Sequence, residues 1–111
     1  MTRLRVAAAQ INAVVGDLSG NAERVLDFYE RAVAEACDLV VFPELTVTGY
    51  PPEDLLHKPA LVAEAAETVA KLAARTGACT AVIGFPERVG DALYNAAAIG
   101  ADGLVVGVYR H

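Results

Sequence analysis

One carboxylate stands out by its setting. Glu44 follows Pro43 at the end of the apolar run Leu39-Val-Val-Phe42 and opens the loop Leu45-Thr-Val-Thr-Gly-Tyr-Pro-Pro52. The proline fixes the chain direction just before it. If the run is a strand of an open α/β sheet, Glu44 lies at its carboxyl end, where such folds place ligands. A carboxylate held there can work as a general base. The plainer alternative is a solvated loop charge. Tyr50, between Gly49 and Pro51, is either an aromatic anchor or a hydroxyl that reaches a substrate above the strand ends. The pair Tyr94-Asn95 reads as polar positions on a hairpin, or as an Asn whose amide braces the loop beside it.

The other reactive side chains carry less. Cys37 closes a helical segment and Cys79 opens an apolar one, so both read as small buried hydrophobes. An activated thiol needs a positive field or a helix N-terminus, and neither setting offers one. His57 and His111 are far apart and show no metal-ligand spacing, so no metal site is expected. Gly100, Gly103 and Gly107 precede or lie within a strand, whereas a phosphate cradle needs glycines leading into a helix.

Composition bounds the rest. A chain of 111 residues is one domain or part of one, able to bury about two-thirds of its unfolded surface. Its hydrophobic share of 55% marks a folded chain with much Ala and Val for helix-on-sheet packing. A net charge of -5 argues against nucleic acid and against an anionic membrane surface. No apolar run approaches the roughly 18 residues that span a bilayer. The cysteine usage and the lack of a signal peptide pattern suggest a reduced, cytoplasmic chain.

Elements follow from periodicity. Leu4–Ile11 reads as a strand buried on both faces, then a loop over 13–20, with Asn21 as a helix cap. Val25, Phe28, Tyr29, Ala32, Val33 and Ala36 mark one face of a helix over Ala22–Ala36. Leu39–Phe42 returns as a second strand, closing a βαβ unit. The connection from Glu44 to Pro52 is longer than the usual 2–6 residues, which points to function. Glu53–His57 suits a short helical turn. Pro59 starts a helix with Leu61, Ala65, Val69 and Leu72 on one stripe, ended by Gly77. Cys79–Phe85 is a third strand, Pro86–Val89 and Ala92–Ile99 flank a turn at Gly90-Asp91, and Leu104–Tyr109 returns after Asp102-Gly103.

These segments resemble a known family. The opening Val-Ala-Ala-Ala-Gln-Ile-Asn, the run Asp38-Leu-Val-Val-Phe-Pro-Glu-Leu45 and the strand Ile83-Gly-Phe-Pro-Glu87 are similar to the carbon–nitrogen hydrolase (nitrilase) superfamily. The extension Thr48-Gly-Tyr-Pro-Pro-Glu-Asp-Leu-Leu56 is more particular. It resembles the N-terminal glutaminase domain of glutamine-dependent NAD+ synthetases. The resemblance implies an α/β fold, the first part of a nitrilase-like αββα sandwich, with residues 1–111 as the N-terminal portion of the domain. It implies a Glu-Lys-Cys triad in which Glu44 is the base. Lys58 and Lys71 match no lysine motif of the family, and neither Cys37 nor Cys79 matches its nucleophile. The piece should therefore be inactive alone.

The implied reaction is hydrolysis of the L-glutamine amide, with the ammonia used to amidate deamido-NAD+. No cofactor is expected in this segment. ATP with Mg2+ would belong to a synthetase domain absent from it. A homo-oligomer is expected, with no nucleic acid and no membrane partner. Two competitors are a stand-alone amidase on a small amide and a non-catalytic α/β module that works by assembly. Half a sandwich would leave one sheet face bare, so poor solubility or tight oligomers should follow.

Overall fold

The computed structural model describes residues 3–51 and 53–111. Met1 and Thr2 of the opening, and Pro52 of the long loop, lie outside the described residues. The elements are β1 (Val6–Ala8), α1 (Leu18–Ala34), β2 (Leu39–Val41), α2 (Glu53–Leu56), α3 (Pro59–Ala74), β3 (Thr80–Val89), β4 (Ala92–Ala101) and β5 (Leu104–Arg110). One five-stranded sheet takes them in chain order, β1-β2-β3-β4-β5. The first three strands are parallel, and β3, β4 and β5 form an antiparallel meander.

The two long helices share one face of this sheet. Val40, Ala81, Ile83, Phe85, Ala96 and Ala98 are buried there against Val25, Tyr29, Ala32, Val69 and Leu72. Tyr29 ties the layers, its hydroxyl donating to the Cys79 carbonyl at 2.7 Å and accepting from the Gly77 N–H at 2.9 Å. Side chains alternate along a strand, so neighbours of the buried set point the other way. Register aligns Ala8, Val41, Val82 and Ile99 across that second face. It is apolar and partly open: Val41 is 38% exposed and Tyr109 68%.

Several expectations need correction. The first strand is three residues long and not buried on both faces, because nothing among the described residues covers its second side; Val6 is 50% exposed. Asn21 is not the cap of α1. The helix begins earlier, capped by Asp17, whose carboxylate accepts the Gly20 N–H, and Asn21 lies one turn inside it, fully buried. Val33, expected on the packed stripe of α1, is 50% exposed. Helix α3 stops at Ala74, before Gly77.

The two strands expected on either side of Pro86 are one continuous β3. Pro86 opposes Asn95, whose carbonyl accepts the His111 N–H on the β5 side. In an antiparallel ladder, directly opposed residues both point their backbone groups toward each other or both away. Pro86 therefore faces away from β4, past the end of β2, where a missing N–H costs no ladder bond.

Candidate active site

The loop after β2 is pinned from three sides. Phe42 N–H donates to the Val82 carbonyl at 2.9 Å, and Val47 N–H to the Gly84 carbonyl at 3.2 Å. Gly16 N–H donates to the Thr48 carbonyl at 3.0 Å. Buried Asn21 closes the third side. Its amide donates to the carbonyls of Val14 and Val47, both at 2.9 Å, and its oxygen accepts the Val14 N–H at 2.8 Å. Leu45, Thr46, Val47 and Thr48 are buried as a result.

Two glycines let this backbone pack so closely. A Cβ on Gly84 would stand 2.6 Å from the Leu45 nitrogen and 2.7 Å from the Pro43 carbonyl oxygen. Gly49 has φ +69° and sits 3.2 Å, by the same measure, from the Val15 backbone. Leu45 itself takes φ +50°, a conformation that costs a side-chain-bearing residue about 1–3 kcal/mol. The turn so formed sends Glu44 out of the buried loop toward the open sheet face.

Glu44 borders a hollow of about 250 Å³ walled by Val41, Val82, Gly84, Ala97, Tyr109 and His111. Each carboxylate oxygen receives a neutral donor. Tyr50 Oη donates to Oε2 at 2.9 Å, and Asn95 Nδ2 donates to Oε1. The bond to Glu44 pushes the Tyr50 phenol above its ordinary value, with partial burial and the carboxylate's negative charge adding to it. Such a site holds the carboxylate fixed in direction beside an apolar floor. A larger groove of about 620 Å³ between α1 and α3 shares no wall with it.

Of the residues singled out in the sequence, Glu44, Tyr50 and Asn95 meet. His111 joins the wall of the hollow through its position after β5. Cys37 and Cys79 lie elsewhere; burial pushes the Cys79 thiol up, with the electrostatic influence of Cys37 and Asp38 adding to it, the opposite of an activated nucleophile. Lys58 precedes α3 and Lys71 lies on the outer groove, so neither borders the hollow. Among the described residues no group of three His, Cys, Asp or Glu could hold a metal, and no helix is long and apolar enough to cross a membrane. Sequence reasoning missed Gly84 and misread Asn21. A glycine inside an apolar strand run was the available signal, since it often marks close backbone approach.

A parallel βαβ start, an antiparallel finish and a carboxylate at the tip of the second strand define the class. The carbon–nitrogen hydrolase family matches residues 5–111, and the chain belongs to that family. The resemblance narrows further, to glutamine-dependent NAD+ synthetases. That of Xanthomonas campestris pv. campestris is 40% identical over 108 residues, 96% of this chain and 20% of that protein. The crystal structure of the Cytophaga hutchinsonii glutamine-dependent NAD+ synthetase aligns with a TM-score of 0.92 at 29% identity, over 96% of this chain and 18% of that one. An amidase from Nesterenkonia sp. aligns with a TM-score of 0.78 at 25% identity, over 96% of this chain and 42% of that one. The chain spans about 20% of the curated relative's length. The fold is that of nitrilase-type enzymes: one helical layer and one sheet of the αββα sandwich.

Proposed function

We propose that residues 1–111 form the N-terminal part of a glutaminase domain, in which Glu44 is the general base. The observation that carries this reading is the Glu44 carboxylate at the strand end, both oxygens held, beside a hollow on the open face. The reaction is hydrolysis of L-glutamine, and the ammonia serves ATP-dependent amidation of deamido-NAD+ to NAD+. Amide hydrolysis through a thioester needs a nucleophile, a base for its proton and positive charge for the oxyanion. This chain supplies the base. The lysine and the cysteine of the family pattern would come from chain packed over the open face, together with a synthetase portion that uses ATP and Mg2+. Residues 1–111 by themselves then turn over no glutamine. Tyr50, hydrogen-bonded to the same carboxylate, would also touch the substrate.

The test uses the full-length protein with ATP, Mg2+ and deamido-NAD+. Glu44→Gln should lower glutamine-dependent NAD+ formation by about 10²–10⁴-fold, the usual worth of a general base. Synthesis from free ammonium should persist in that variant. Glutamine hydrolysis that survives Glu44→Gln sinks the base role. Amide hydrolysis with no NAD+ formation would favour the stand-alone amidase, a reading supported by the fold match to the Nesterenkonia enzyme.

A further inference from the structure

We propose that Asn95 is a positioning residue for the Glu44 carboxylate, fixing its direction. This rests on the reading of Glu44 as the base. Glu44 is carried by a loop and is exposed, and so is its other donor, Tyr50, at 65%. Asn95 is different, because it stands on β4, between β3 and β5 in the sheet. Its backbone is held opposite Pro86, and its carbonyl accepts the His111 N–H at 2.9 Å. Two residues before Ala97, it points to the same face of the sheet, the one with the hollow.

The chemistry of the contact sets its role. The amide nitrogen donates to Oε1. The reverse placement would set the amide oxygen against a carboxylate oxygen, two acceptors facing each other. An amide N–H cannot give up its proton at ordinary pH, so it orients the base without competing for its work. Tyr50 rides on the same loop as the base, whereas Asn95 is anchored by the sheet. The strand-borne amide is thus the fixed reference for a loop-borne base.

The experiment follows glutamine hydrolysis by the full-length protein across pH, for Asn95→Ala, Asn95→Asp and Glu44→Gln beside wild type. Asn95→Ala should lower kcat by about tenfold to a hundredfold, as small misplacements of reacting groups do. KM for glutamine should change far less. Asn95→Asp keeps the shape and should move the acid limb of the kcat/KM profile to higher pH, since two neighbouring carboxylates resist ionising together. A wild-type pH profile in Asn95→Asp, or activity of Asn95→Ala lost only in proportion to unfolded protein, would overturn the inference. If Asn95→Ala fails to fold, an unmoved acid limb in Asn95→Asp overturns it alone. Activity retained by Glu44→Gln would remove the base role and the inference with it. An inactive Glu44→Gln beside unaltered Asn95 variants would remove the inference only.

Discussion

At Tyr50 the phenol and the Glu44 carboxylate share one proton's worth of chemistry. The hydroxyl donates at 2.9 Å from a largely exposed ring. Ionising it would set a phenolate against a carboxylate, which is why the hydrogen bond leads the causes that hold its pKa up. The sign follows directly. A raised folded-state pKa means that the stabilisation is whole below the ordinary phenol value of about 10 and is lost as pH rises through the higher one. The contact is therefore intact across the neutral range and opens only in alkali. Ultraviolet absorbance titration of wild type minus Tyr50→Phe should show this phenol ionising above about 10 and dropping back in Glu44→Gln. A Tyr50 that titrates at the ordinary value in wild type would mean that the hydroxyl does not stay on Glu44 in solution.

The loop that carries Glu44 owes its shape to Asn21 and Gly84, two positions far from it in sequence. Asn21 satisfies three backbone groups from a fully buried place. Truncation to Ala strands them, at about 1–3 kcal/mol for each group left unpaired. Urea unfolding of the full-length Asn21→Ala variant should show a loss of about 3 kcal/mol. Gly84→Ala instead overpacks, pushing Pro43 and Leu45 away at about 1–3 kcal/mol, and should cost the proposed glutaminase activity beyond its cost in stability. An Asn21→Ala protein as stable as wild type would show that the loop finds other partners. These two residues also mark where the sequence was legible. The strand-helix-strand order, the short helix at Glu53 and the Asp102-Gly103 turn follow from local periodicity and turn chemistry. Asn21 looked like a cap because a polar residue before an apolar stripe usually is one; its real partners lie 7 and 26 positions away. Pro86 looked like a strand break because a single sequence does not show which edge of β3 stays unpaired. Glu44 and Tyr50 could be placed at one site from their common loop, whereas the contact with Asn95, 51 positions on, needed the meander register.

For the molecule as a whole, the two faces of the sheet are unequal. One is sealed by α1 and α3, with Val40, Ala81 and Ile83 each no more than 1% exposed. The other is apolar yet partly open, and it is the face that bears the Glu44 hollow. An apolar sheet surface of this kind is normally covered, by further chain or by another copy. Ile99 tests this, since it lies on β4 opposite Val82 and outside the hollow. A lysine there puts a charge in the middle of the face. In residues 1–111 expressed alone, where this face has no further chain to cover it, self-association should dominate, and Ile99→Lys should raise the monomer fraction in sedimentation. In the full-length protein the same charge should meet packed side chains and lower Tm, because an unpaired buried ammonium is costly. The opposed signs make the pair decisive. A full-length Ile99→Lys protein with unchanged Tm would mean that the face stays open to water, and the lysine and cysteine of the proposed triad would then have to reach Glu44 by some route other than packing across it.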